Sequence, residues 1–317
     1  MGRIALLGST DTTLSIAEAV LRAGHEIACI VHVAPAFSIS YSDKPVSVSR
    51  QADIRGWCAS RGIAAVEYGG VDALTDYFKA CVADLCIVAG WYHMVPRRLR
   101  DCFAQGAVGL HASRLPELRG GAPLNWAMLA GWKETAVSLF VLSDGVDDGP
   151  LYGQEIIPIG PEDYIGDLIQ RCNTASVHLI ERCVDGMVNG TLAPRAQTGT
   201  PSYGAQRAPE DGVIDWRRPA ADIVRLVRAV SHPYPGAFSW FADRQVRIWR
   251  ARAYTEAVLF GAPGQVLCLP QDRVIVATGD GSVEILEADT ADGECFMPVL
   301  RRGSHRRFHD QAQQNKV

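Results

Sequence analysis

A chain of 317 residues, 48% apolar and 21% charged, can bury a core without disulfide or metal staples, as one large domain plus a smaller one or as two comparable ones. Its formal charge of −4 attracts no polyanion globally, so a nucleic-acid partner would need a local basic patch. The opening MGRIALLGST is too short and too broken by Gly8 for a secretory leader, and no apolar run approaches the roughly 18 residues of a spanning helix; the expectation is a cytoplasmic protein without membrane contact.

Residues 3–8 form an apolar run into the turn Gly8-Ser9-Thr10-Asp11; an amphipathic stretch over 13–23 stops at Gly24, and a second apolar run covers 27–33. Strand, glycine turn, helix and strand make the βαβ unit of a parallel sheet. The pattern recurs with helices over 49–61, 72–81 and 96–102 leading to strands over 64–67, 85–89 and 107–110. Near-continuous apolar strands imply a sheet covered on both faces, so the fold class is α/β, a Rossmann-like doubly wound and mainly parallel sheet. Gly8-Ser9-Thr10 is not G-x-G-x-x-G and lacks the acidic residue about twenty positions on, so NAD is not implied. Ligands in such folds sit beyond the carboxyl ends of the strands, where segments 8–11, 89–95 and 109–113 should meet.

Residues 1–195 read as this catalytic-type domain. The stretch 191–210, rich in Pro, Gly and small polar residues, contains a linker over 196–210. Beyond it, an amphipathic helix over 220–230, the turn His232-Pro233-Tyr234-Pro235-Gly236 and alternating runs over 237–241, 245–252, 264–269, 273–278 and 281–287 predict a small OB-like β-barrel domain over 211–305. The polar, basic tail over 306–317 is expected to lack order at its end. Nine scattered cysteines without a C-x-x-C pair read as reduced and buried, with no metal site.

Two segments carry candidate chemistry. His111 ends a strand and opens a Pro/Gly-rich loop, and Asp147 lies in Asp144-Gly145-Val146-Asp147-Asp148-Gly149 after the apolar run 137–142. A lone His is most often structural and an acidic glycine loop most often a hairpin, but strand-end placement favours a site, where a carboxylate can orient an imidazole.

The run H-x-S-x-L-P-x-x-R-G-x-x-P-x-x-W-A from His111, G-x-x-x-T-x-V-S from Gly131 and G-x-D-x-G from Gly145 resembles the 10-formyltetrahydrofolate-dependent formyltransferases. That family takes in methionyl-tRNA, glycinamide ribonucleotide and sugar-nucleotide N-formyltransferases. The flavour of Arg119-Gly120-Gly121-Ala122-Pro123-Leu124-Asn125-Trp126, of Asp215-Trp216 and of Pro233-Tyr234-Pro235-Gly236 is nearest to the formyltransferase part of the UDP-4-amino-4-deoxy-L-arabinose enzyme. The resemblance covers nearly the whole chain.

It implies that an amine attacks the formyl carbon of 10-formyltetrahydrofolate, with His111 and Asp147 catalytic and no metal. It implies a pterin pocket of Gly90, Trp91, Tyr92, Met94, Val95, Asp144 and Val146, and acceptor contacts from Ser113, Arg119 and Pro123. For Trp91 and Met94 the alternative is ordinary core, and for Arg119 a salt bridge. The family's third catalytic residue, an Asn two positions before the His, is Gly109 here, and losing one oxyanion donor can cost a factor on the order of 10²–10³ in rate. Altered one-carbon chemistry, hydrolysis of the formyl folate and a folate- or nucleotide-binding relic therefore stay open beside formyl transfer. A small amine, first a nucleotide-linked aminosugar and then a natural-product amine, is favoured over methionyl-tRNA or other nucleic acid. The reason is that residues 34–50 offer only Lys44 and Arg50 against Asp43. A homo-oligomer is compatible with all of these readings.

Overall fold

The computed structural model describes residues 1–39, 42–48 and 50–309. Two compact units emerge, each discontinuous in sequence: Met1–Pro123, Glu134–Pro158 and Ile169–Gly204 form the first; Leu124–Lys133, Ile159–Leu168 and the chain from Ala205 form the second.

The first unit begins with β1 (Arg3–Leu7), α1 (Asp11–Arg22), β2 (Glu26–His32), β3 (Ala36–Ile39), β4 (Ser42–Ser47), α2 (Ile54–Ala59), β5 (Ala64–Glu67) and α3 (Val71–Ala80). It continues with β6 (Leu85–Val88), α4 (Arg97–Arg100), β7 (Ala107–His111), β8 (Arg119–Gly120), α5 (Pro123–Leu129, most of it in the second unit), β9 (Glu134–Val141) and β10 (Leu151–Pro158). The helix α6 (Ile165–Val188) starts in the second unit and returns to the first, which ends at β11 (Tyr203–Gly204). The main sheet runs β10-β9-β7-β6-β1-β2-β5. Its five strands from β7 to β5 are parallel, and β9 and β10 add an antiparallel edge. The expected doubly wound, mainly parallel sheet is therefore present.

Apolar strands explain the register: Ala5, Leu7, Cys29, Val31 and Cys86 pack with Leu74, Phe78, Leu99 and Phe103 of the helical layer in one buried cluster. Strand order reverses between β1 and β6, and there the two following turns touch. The Ser9 N–H donates to Gly90 O (3.0 Å), and the Thr13 hydroxyl donates to Ala89 O (2.7 Å). A Cβ on Gly8 would lie 2.0 Å from Ala89 O, so only glycine lets these strand ends approach.

One local expectation changes. The helix expected from residue 49 starts only at Ile54; Ser49 lies outside the described residues. Residues 51 and 52 are extended because Gln51 bridges Thr10 and the Ala52 N–H donates to Ser9 O (3.0 Å), while Asp53 caps the helix by accepting from the Gly56 N–H (2.9 Å). The stretch 34–50 contains the antiparallel ribbon β3–β4; the side chains of Asp43 and Lys44 lie outside the described residues.

The second unit adds α7 (Ala220–Val230), β12 (Ala237–Phe241), β13 (Arg244–Ala253), β14 (Val266–Leu269), β15 (Arg273–Ala277), β16 (Ser282–Thr290), α8 (Met297–Arg301) and β17 (Phe308–His309). These strands form an antiparallel sheet in the order β14-β15-β16-β13-β12-β17. Its two ends meet: the Val266 N–H donates to Arg306 O and the Phe308 N–H to Gly264 O, both at 2.8 Å, giving the barrel-like form expected. The chain beyond residue 305 is thus ordered at least to His309, because Phe308 is buried and stacks on Trp216; the rest of the tail, 310–317, lies outside the described residues. Among the described residues no helix is long and apolar enough to cross a membrane, and no cluster of His, Cys, Asp and Glu could hold a metal ion.

Candidate active site

His111 closes β7 beside β6, so its ring and the loop 89–95 occupy the same carboxyl edge of the sheet. Its Nδ1 stands 3.4 Å from Asp147 Oδ2, an ion-pair distance too long for a well-formed hydrogen bond. Its Nε2 lies 2.8 Å from Leu118 O, a carbonyl that can only accept, so this nitrogen carries a proton. The side chains of His111 and Asp147 keep 11% and 23% of their exposure, so both are partly accessible. Asp147 has φ +49°, a left-handed conformation that costs an L-residue about 1 kcal/mol or more. Two bonds offset that cost: the Gly120 N–H donates to Oδ2 and the Gln197 amide donates to the Asp147 carbonyl, both at 2.8 Å.

Gly109 is buried, and the space beside it is closed. An added Cβ would meet Leu142 Cδ2 at 2.9 Å and the Phe140 ring at 3.0 Å. Phe140 is the antiparallel partner of Gly109, and Leu142 packs against the core of the first unit. Hydrocarbon, not a second amide, stands where a side chain would begin. Asn125 is buried, and its Nδ2 is committed to Ala229 O (2.7 Å).

The three residues named for acceptor contact have different surroundings. Ser113 is fully buried, its hydroxyl donating to Glu117 O (2.5 Å), and it shapes the loop after β7. Arg119 gives Nη2 and Nε to Gln197 Oε1 (2.6 and 3.2 Å) and Nη1 to the Tyr203 hydroxyl (3.3 Å), so its guanidinium braces the loop. Pro123 is half-buried at the start of α5.

In the segment after β6, Gly90 has φ +70° and lies against Thr10. Trp91 packs edge-on to Tyr68 (5.2 Å), and His93 lies 4.6 Å from the same Tyr68 ring; burial lowers the His93 pKa below its usual value. Tyr92 packs edge-on to Phe37 (5.1 Å), Val95 is buried in the core, and Met94 is 65% exposed. Among the described residues the Trp91 indole N–H and the Thr10 hydroxyl are buried without a partner, and such polar atoms suit a heteroaromatic ligand edge. On the opposite loop Val146 is exposed, Asp144 is paired with Arg100, and Arg100 also donates to Leu142 O (2.7 Å).

A cavity of about 450 Å³ opens beyond β1, β2 and β5, lined by Ser9, His32, Gln51, Asp53, Arg55 and Glu67 among others. Among its described lining residues Arg55 supplies the guanidinium, and it is paired with Glu67. Sequence reasoning missed this cavity, and it missed the Leu118 carbonyl, the Gly120 N–H and Gln197. The first two are backbone groups with no residue-type signature, and Gln197 lies in a stretch that reads as linker.

Family models describe the same chain. That for "Formyl transferase" matches residues 3–184, and that for "Formyl transferase, C-terminal domain" matches residues 207–297. The methionyl-tRNA formyltransferase of Roseobacter denitrificans is 30% identical over 290 residues, 91% of each chain. An N-formyltransferase from Helicobacter canadensis, solved with folinic acid and dTDP-3-aminofucose, superposes with a TM-score of 0.65 at 15% identity, covering 90% of this chain and 99% of that one. HypX from Aquifex aeolicus in complex with tetrahydrofolic acid gives a TM-score of 0.66 at 18% identity over 93% of this chain, which spans 45% of that longer protein. At such identities the two structures speak to fold alone.

Proposed function

The chain is an enzyme of the formyl transferase family, and from that premise we propose that it moves the formyl group of 10-formyltetrahydrofolate to a primary amine on a small-molecule acceptor, first a nucleotide-linked aminosugar. The observation that carries this reading is the His111–Asp147 pair at the carboxyl end of β7, beside a loop whose Trp91 indole N–H is buried without a partner among the described residues. Gly90, Trp91, Tyr92, Met94 and Val95 on one side and Val146 on the other hold the pterin, and Asp144 supports that wall through Arg100.

The amine nitrogen forms a bond to the formyl carbon, and the bond from that carbon to the donor nitrogen breaks. The amine loses a proton and the departing nitrogen gains one. His111 stands where it can stabilise the developing oxyanion and relay the proton, and Asp147 orients the ring. With Leu142 and Phe140 filling the volume beside Gly109, the oxyanion rests on His111 without a neighbouring side-chain amide.

Charge supports a small acceptor. Arg50 is already paired with Asp11 and Thr12, and the described residues lining the cavity beyond β1 and β2 bring two carboxylates against one guanidinium. Such a surface disfavours the long phosphate backbone of a tRNA far more than the short one of a nucleotide-linked sugar. The R. denitrificans relative favours methionyl-tRNA as the second reading. The test is tetrahydrofolate release from 10-formyltetrahydrofolate with no amine, with nucleotide-linked aminosugars, and with methionyl-tRNA. Release on aminosugar addition alone is expected. Release with methionyl-tRNA alone overturns the small-acceptor reading, release without amine marks a hydrolase, and donor binding without release marks a relic.

A further inference from the structure

We propose that Gln197 is a positioning residue that holds Asp147 against His111; this rests on the formyltransferase reading of the pair. All four hydrogen-bonding positions of the Gln197 amide are used. Its oxygen accepts from Arg119 Nη2 (2.6 Å) and Nε (3.2 Å), and its nitrogen donates to the carbonyls of Asp147 and Gly149, both at 2.8 Å. A flipped amide would set NH₂ against a guanidinium and oxygen against two carbonyls, so one orientation alone satisfies the site. No other side chain of this length both accepts from an arginine and donates twice.

The bridge spans two loops that must agree in position. Arg119 belongs to β8, and the next residue, Gly120, donates its N–H to Asp147 Oδ2 (2.8 Å). The preceding residue, Leu118, supplies the carbonyl that faces His111 Nε2. Both ring nitrogens of His111 thus face oxygens placed by residues 118–120 and 147, and Gln197 locks those segments together. The same strap is fastened along its length. Ser202 accepts from the Arg119 N–H through its carbonyl (2.9 Å) and from the Leu118 N–H through its hydroxyl (2.9 Å), and the Gly121 N–H donates to Gly204 O (2.8 Å). Residues 195–204 are therefore part of the site's frame and not a passive connector.

Gln197→Met keeps the length and removes every bond. The expected result is a loss of about 10- to 100-fold in kcat, the scale of a misplaced catalytic group, with KM for the formyl donor within roughly threefold of the parent. Gln197→Glu keeps the acceptor for Arg119 but faces a carboxylate to two carbonyls and should lose at least as much. Arg119→Met leaves the Gln197 bonds to Asp147 and Gly149 in place and should lose less. Amide hydrogen exchange on the full chain reads the geometry without any substrate: exchange at Gly120 should rise about tenfold in Gln197→Met while β6 and β7 amides keep their protection. Unchanged kcat, a loss confined to KM, unchanged Gly120 exchange, or a rise spread across the whole sheet each overturns the proposal. If the parent shows no amine-dependent turnover, the formyltransferase reading falls while the exchange comparison still decides whether Gln197 holds Asp147. Should Gln197→Met fail to fold, Gln197→Asn, with the same amide one methylene short, takes its place under the same outcomes.

Discussion

Two carboxylates, one in each unit, meet their cations in opposite ways. Glu284 of β16 keeps 6% of its side-chain exposure and accepts from Arg273 Nε and Nη2 (2.8 Å each) and Arg252 Nε (2.7 Å). The hydrogen bonds from Arg273 hold its pKa below the ordinary value against the opposing effect of burial. Asp147 meets His111 only at 3.4 Å, takes one backbone N–H on the same oxygen, and receives no hydrogen bond on Oδ1 from the described residues. A carboxylate saturated from three directions can only support structure. One that is half satisfied, strained and beside an anchored imidazole leaves room for a reacting molecule.

The largest effect that would sharpen this contrast is expected at the site. Asp147→Asn keeps an acceptor for the Gly120 N–H and tolerates the left-handed backbone, so folding should be preserved while turnover drops by a factor on the order of 10²–10⁴. Steady-state kinetics beside an unchanged melting temperature checks this, and retained turnover would reduce Asp147 to a turn residue. Glu284→Gln should do the reverse, lowering stability in denaturant titration with turnover per folded molecule intact. Because the folded pKa of Glu284 is depressed, its stabilisation is present above the unfolded carboxyl value near 4.5 and is lost as pH falls through the folded value. The Gln variant should therefore show a flatter fall in stability with acid below about pH 4.5. Equal acid slopes would remove Glu284 from the comparison.

A smaller effect is expected beside His111. Gly109→Asn forces a Cβ to within 3.0 Å of Leu142 and Phe140, and overpacking of this kind costs about 1–3 kcal/mol. No gain in formyl transfer should appear until Leu142→Ala is added to make room. A gain from the single substitution would show that the Leu142 and Phe140 side chains yield easily.

Most of the scaffold was legible before any coordinates. The apolar runs around β1, β2, β5, β6 and β7 have the period and the glycine stops of a parallel sheet, α7 shows as an amphipathic stretch, and the barrel strands follow alternation between strong turn signals. Less legible were the elements whose form depends on distant contacts. The start of α2 is set by Thr10 and Ser9, and β17 exists because Phe308 finds Trp216 and Phe241. For α6 the chain offered no reading here, although its 24 residues are the longest helix described.

The site divides in the same manner. His111, Asp147 and the substitution at Gly109 are side-chain identities at fixed spacing, so the sequence alone determined that they are there and which chemistry they resemble. What surrounds them was decided by tertiary structure. The closure of the space beside Gly109 by Leu142 and Phe140 depends on the antiparallel register of β7 and β9. The commitment of Arg119 to Gln197 and Tyr203, the Leu118 carbonyl on His111 and the Gly120 N–H on Asp147 join residues 7 to 84 positions apart. Composition and periodicity report the local preferences of a chain; backbone donors and long-range packing acquire partners only when the chain closes on itself.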